Sequence, residues 1–181
     1  MGMAAPVYWT ADMVRALPED GQKYETVHGE LLVSPSPRML HQLVVGRLVS
    51  ELTAYLDRER VGEVFPGGDI SWGDDTLVVP DVLVAPLDEA RTMDWRHVRS
   101  LLLAIEVLSP SSLRADRFTK RRLYQEAGIP LYLVVDADAR LVETWTPEVI
   151  FPVVESERIA WQPGGAATPF VLDLPRLFRP V

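Results

Sequence analysis

Leu101-Leu-Leu-Ala-Ile105-Glu106-Val-Leu108 is a stretch of strand length in which a single acid interrupts an otherwise apolar run, and its reading decides the architecture. A near-continuous apolar run broken by Ser109-Pro110-Ser111-Ser112 is what a strand covered on both faces looks like. Downstream, residues 115–127 read as a helix closed by Gly128, and Pro130 to Val135 reads as a second buried strand. Strand, helix and strand make a βαβ unit, expected to be parallel and right-handed. The acid within the first strand is the anomaly, because a carboxylate is costly to desolvate unless something cationic compensates it.

Working outward, the stretch Thr76-Leu-Val-Val-Pro80-Asp81 belongs to a strand predicted over Leu77 to Ala85, and it places a second acid in an apolar pattern. The long segment from Pro37 to about Arg60 repeats apolar residues at helical spacing, with Ser36-Pro37 as its start and Gly62 as its end. Ahead of it, a short helix near Thr10 to Leu17 precedes two strands around a turn at His28-Gly29, and Glu30 opens the second strand. Residues 86–100 read as a loop with a helical turn. Short strands follow Asp138, and Leu174 to Phe178 is expected to pack on the body.

The 181 residues, 48% hydrophobic, fit one domain, taken as residues 1–181. There is no cysteine, which excludes disulfides, thiolate ligands and cysteine nucleophiles, so any metal must prefer oxygen or imidazole. Neither a leader-like N-terminus nor a run long and apolar enough for a membrane span is visible, and a cytoplasmic protein is the expectation. The net charge of −8 makes attraction to a polyanion local, and Arg114, Arg117, Lys120, Arg121 and Arg122 form the densest basic cluster.

Two acids, Asp81 and Glu106, on neighbouring strands repel one another unless a cation lies between them, which points to a metal. Hydrolysis of a phosphodiester needs charge neutralisation at phosphorus, an activated water and a stabilised leaving group, all of which a carboxylate-held Mg²⁺ assists. Mg²⁺ keeps several waters, so Asp81, Glu106 and a backbone carbonyl such as that of Val107 make a sufficient set of ligands, with Mn²⁺ able to replace it. The bland alternative makes Asp81 a turn acid and Glu106 the partner of a structural cation.

The pair Pro80-Asp81, the Glu106 within Ile105-Glu106-Val107 and a downstream lysine resemble the PD-(D/E)XK nuclease superfamily. The longer string Glu106-Val-Leu-Ser-Pro-Ser-Ser, Asp116, Lys120, Tyr124, Ala127-Gly128 and Tyr132-Leu-Val-Val-Asp136 is similar to the Uma-type restriction endonuclease family. Tyr24-Glu-Thr-Val-His-Gly29-Glu30 and the stretch from Pro35 to His41 fit the same family, so the likeness runs from about Tyr24 to Asp136. It implies an α/β fold with a restriction-endonuclease-like core, a central mixed sheet flanked by helices, and an endonuclease acting on nucleic acid, with DNA as the expected substrate. One departure is plain: the lysine that usually follows the second acid by two residues is Leu108 here, and the resemblance gives its work to Lys120.

The resemblance also raises Glu30 to a third acid and gives His41 a place in the active site. From the residues alone, Glu30 is equally an exposed strand residue, and His41 equally a hydrogen-bonded core histidine. Asp116 and Lys120, four apart, read as an ordinary intrahelical ion pair. Arg114, Arg117, Arg121 and Arg122 are either a solvated face or phosphate contacts, and their place beside the site favours the second. Analogy with nucleases of this architecture implies a homodimer. Two rival functions stay open: a catalytically silent nucleic-acid-binding module, and a metal-dependent hydrolase of small phosphorylated substrates.

Overall fold

The computed structural model describes residues 7–181, so the start of the stretch read for a leader, residues 1–6, lies outside them. Ala11–Arg15 forms α1, capped by the Thr10 hydroxyl, which accepts the Met13 amide. Lys23–Val27 (β1) and Glu30–Ser34 (β2) pair in an antiparallel hairpin. Its turn residues His28 and Gly29 both take positive φ, 50° and 79°, as a two-residue turn of the I′ kind requires. The long helix, α2, runs over Met39–Glu59 and starts later than Ser36-Pro37 suggests. The Ser36 hydroxyl donates to the Gly21 carbonyl at 2.7 Å instead of capping the helix.

The strand expected over Leu77 to Ala85 is two. Gly62–Phe65 (β3) and Ile70–Ser71 (β4) come first, then Leu77–Val78 (β5), and after a break Val82–Pro86 (β6). Pro80, which has no amide to donate, sits in the break, and each half joins a different sheet. The loop expected over 86–100 holds the turn Leu87–Ala90 (α3) and a 3₁₀ turn at Trp95–His97. Leu103–Val107 (β7) is the strand with the buried acid. The helix expected over 115–127 opens as a π-helical stretch, Ala115–Lys120, and continues as Arg121–Glu126 (α4). Such widened turns are rare and frequent at functional sites.

Tyr132–Asp136 (β8), Leu141–Trp145 (β9) and Val153–Glu155 (β10) complete a six-stranded mixed sheet of order β10-β9-β8-β7-β6-β3. As the βαβ reading anticipates, β7 and β8 are parallel. Arg158–Trp161 (β11) and Phe170–Asp173 (β12) form a ribbon that leads into Leu174–Leu177 (α5). The second sheet, of order β2-β1-β5-β4, is separate.

Alternation along β7 sends Leu103, Ile105 and Val107 to the face packed against α2 and the ribbon. Ala104 joins the opposite cluster, with Leu123 and Tyr124 of α4 and with Val27 and Val78 of the second sheet. Glu106, two residues on from Ala104, points to that same side. The central sheet is therefore covered on both faces, as its apolar strands predicted. No helix among the described residues is long and apolar enough to cross a membrane.

Leu48, at the centre of α2, is fully buried against the sheet. Leu48→Ala should cost about 2–5 kcal/mol in urea unfolding, since the sheet cannot collapse into the gap.

Candidate active site

The register of β6 with β7 pairs Val82 with Ile105, which sets Asp81, just ahead of β6, opposite Glu106. Residues opposite one another on adjacent strands share a face, with Cβ atoms about 4.5–5.5 Å apart. A cleft of about 230 Å³ opens over the pair, lined among others by Lys23, His41, Gly67, Ser109 and Asp116.

Each carboxylate has one oxygen fixed by the protein. Asp81 Oδ2 accepts the Val107 amide at 2.8 Å and meets His41 Nε2 at 2.9 Å, so a helix on the far face reaches around the strand end to hold it. Glu106 Oε1 accepts from Lys120 Nζ at 2.9 Å and from the Tyr124 hydroxyl at 3.0 Å. The other two oxygens meet a second lysine. Lys23 Nζ lies 3.0 Å from Asp81 Oδ1 and 3.8 Å from Glu106 Oε2, and donates to the Val79 carbonyl at 3.1 Å.

Lys120, 2% exposed, is enclosed by acids: Glu25 Oε2 at 2.8 Å, Glu106, and Asp116 Oδ1 at 3.5 Å. Glu25 in turn accepts the Val79 amide at 2.7 Å through Oε1. The cluster thus sets four carboxylates, Glu25, Asp81, Glu106 and Asp116, against the ammoniums of Lys23 and Lys120. Fully ionised, the four acids would outnumber the two ammoniums by two.

Burial first, and then the neighbouring charges, set the acidities. Burial pushes the Glu106 carboxyl up to about 8, with the charges of Asp81 and Asp116 adding and those of Lys120 and Lys23 opposing. Burial also raises Asp116. Burial would raise Asp81 too, but the His41 hydrogen bond and the nearby Lys23 charge outweigh it and hold that carboxyl well below the usual carboxylate range. Lys120 stays charged: burial opposes its ammonium, yet Glu106, Glu25 and Asp116 raise its pKa well above the ordinary lysine value.

Among the described residues, no three histidine, cysteine, aspartate or glutamate side chains form a ready-made metal cage. The two lysines are interleaved with the acids instead. The chemistry of the donors nonetheless fits a hard divalent cation: two carboxylate oxygens, Asp81 Oδ1 and Glu106 Oε2, flank a single point, and acids outnumber ammoniums around it.

Asp81, Glu106, Lys120 and His41 are brought together here; other expected residues are not. Glu30 is exposed at the hairpin tip, beside an open hollow lined by Phe118, Arg121 and Arg122. It pairs with Val27, two residues and about 7 Å along β1 from Glu25, which takes the interior position. The intrahelical pair of Asp116 with Lys120 forms, at 3.5 Å, but both partners are buried in the network and not on an ordinary helix face. The arginines do not line the cleft. Arg117 pairs with Glu143 at 2.7 Å and Asp136 at 3.4 Å, Arg122 with Glu126 at 2.8 Å, and Arg121 stacks on Trp145, while Arg114 is exposed.

Two residues escaped sequence reasoning, Lys23 and Glu25. Alternation along β1 places both on the face of Val27, which packs in the core, and a Lys-x-Glu-x-Val pattern in a strand was the available signal.

A mixed sheet with one acid just ahead of a strand and a second inside its neighbour is the arrangement that the resemblance to the PD-(D/E)XK superfamily implies. A crystal structure described as that of "a putative nuclease belonging to DUF820" from Anabaena variabilis matches this chain with a TM-score of 0.76, covering 94% of this chain and 97% of that one at 21% identity. The chain itself belongs to the Uma2 family, described as "Putative restriction endonuclease", whose model matches residues 11–164. Among curated proteins, none matches it.

Two predictions follow from the geometry. Glu25→Ala strips Lys120 of a close partner and leaves the Val79 amide unpaired, so it should destabilise the fold by about 3–5 kcal/mol in denaturant titration. A loss within experimental error would mean Lys120 does not need it. The second concerns pH. The folded state binds a proton on Glu106 up to about 8, against 4.5 for the ordinary group, so this contribution to stability is complete below the lower value and lost as pH rises towards the higher. In chelator, the thermal midpoint of the native protein should fall across that window, and Glu106→Gln should flatten the fall. Parallel curves for the two proteins would refute the assignment.

Proposed function

We propose that this chain is a metal-dependent endonuclease that hydrolyses phosphodiester bonds of nucleic acid, with DNA as substrate and Mg²⁺, replaceable by Mn²⁺, as the cation. The observation that carries this reading is the opposition of Asp81 and Glu106 across adjacent strands, each with one oxygen anchored and one turned to the cleft. Family membership and the nuclease-like fold support the substrate class.

Asp81 Oδ1, Glu106 Oε2 and the Val107 carbonyl would hold the cation, which when bound neutralises phosphate charge and lowers the pKa of water. Val107 already directs its amide to Asp81, and in an extended strand the carbonyl of the same residue lies on the same edge. His41 and the Val107 amide fix the rotamer of Asp81. Tyr124 and Lys120 do the same for Glu106, and Glu25 holds Lys120.

Since its ammonium stays protonated, Lys120 acts by charge and not as a base; it sits behind Glu106 and contributes fixed positive potential beneath the cleft. Water activation falls to the cation-bound site and its carboxylates. Cutting both strands of a duplex calls for two such clefts, which a pair of identical chains supplies.

The test is cleavage of supercoiled plasmid, single-stranded DNA, RNA and a small phosphodiester, each with Mg²⁺ or Mn²⁺. Plasmid cleavage is expected, abolished in Asp81→Asn and reduced roughly 100-fold or more in Lys120→Met, with the fold checked by circular dichroism. Turnover of the small diester alone would make this a small-substrate hydrolase. Binding of DNA without any cleavage would make it a silent module, and full activity in both variants would remove the site.

A further inference from the structure

The two lysines of the cluster are built differently. Lys120 is sealed among three acids and does not line the cleft. Lys23 does line it, and its side chain keeps 28% of its surface exposed. It enters from the first residue of β1, in the other sheet, and reaches the carboxylates along the cleft wall.

Its contacts are the two carboxylate oxygens that the rest of the protein leaves alone. Asp81 Oδ2 has the Val107 amide and His41, and Glu106 Oε1 has Lys120 and Tyr124. Among the described residues, Asp81 Oδ1 and Glu106 Oε2 meet only Lys23.

We propose that Lys23 is the resident counter-ion of the Asp81–Glu106 pair and competes with the divalent cation for the interval between Asp81 Oδ1 and Glu106 Oε2. The proposal rests on the metal-dependent reading above. An ammonium and a divalent ion cannot share an interval bounded by oxygens 3.0 and 3.8 Å from the present nitrogen, because their repulsion in a partly buried cleft is strong. Cation entry therefore requires the ammonium to leave, and a partly exposed side chain at the cleft gives it a path that the sealed Lys120 lacks. The free protein keeps two facing carboxylates from repelling one another, at the expense of a weaker metal site.

Calorimetric titration of Mn²⁺ into chelator-stripped protein tests this with no reference to activity. Lys23→Met, which keeps the stem and removes the charge, should bind Mn²⁺ more tightly, on the order of tenfold, as expected for a coupled pair of ligands. Lys23→Arg, which keeps a competing cation, should bind much as the native protein does. Without metal the Lys23→Met thermal midpoint should lie below that of the native protein, and saturating Mn²⁺ should close or reverse the gap.

Native-like or weaker binding by Lys23→Met, with Mn²⁺ bound by the native protein and lost in Asp81→Asn, overturns the competition and leaves the metal reading standing. Tight binding by Lys23→Arg equal to that of Lys23→Met overturns it as well. Absence of binding in all of them, or undiminished binding by Asp81→Asn, overturns the metal reading and the competition together.

Discussion

The rest of the molecule is arranged around the desolvation of Glu106. A carboxylate in the middle of a strand covered on both faces is a large penalty, and the pairing that offsets it must come from a residue that can be buried with it. Lys120 does this at 2.9 Å, but a buried ammonium needs more than one acid, and Glu25 and Asp116 join it. Each partner recruits the next. Glu25 takes the Val79 amide, and the Tyr132 hydroxyl donates to the Asp116 carbonyl at 2.9 Å, so the cluster is tied to the backbone of the second sheet, of β5's trailing end and of the π-helical turn.

That chain of requirements explains why two sheets meet where they do. Pro80 ends one sheet's strand and opens the other's, and the chain therefore delivers Asp81 to the junction with its carboxylate opposite Glu106. The hairpin β1–β2 brings Lys23 and Glu25 to the same junction from one strand face. The π-helical turn brings Asp116 and Lys120 in from the other side. Four separate segments converge on one cleft, and long-range packing of the apolar faces holds them in register.

The sequence was most legible where one physical signal dominated. The apolar run with Glu106 inside it, the helical spacing of α2 and the parallel β7–β8 pair follow from periodicity and burial, and the acids Asp81 and Glu106 were legible as exceptions to it. Glu25 was not, because a charge in a half-buried strand looks like any solvent-facing residue until the partner sheet is known. Glu30, next to a glycine turn, was the more conspicuous acid, yet its place at the hairpin tip keeps it in water. The direction of the arginines was illegible for a related reason. A dense run of charge says nothing of direction, and Glu143, Asp136 and Glu126, which engage Arg117 and Arg122, are remote or unremarkable in sequence.

A buried cluster in which acids outnumber cations is a poor solution to stability alone, since replacing a buried ion network by apolar residues is often neutral or favourable. Its acids are also not equivalent. Asp81, at the cleft, is held ionised by His41 and Lys23, whereas Glu106, deeper at the same cleft, is pushed towards protonation at neutral pH by burial. Acidities driven apart in two facing carboxylates are found at functional sites and also in structural ion-pair networks, so it is the position of this pair at the cleft that sets it apart. The pair borders the cleft with Lys23 between its two remaining oxygens, so whatever enters there meets the network at its partly exposed cation.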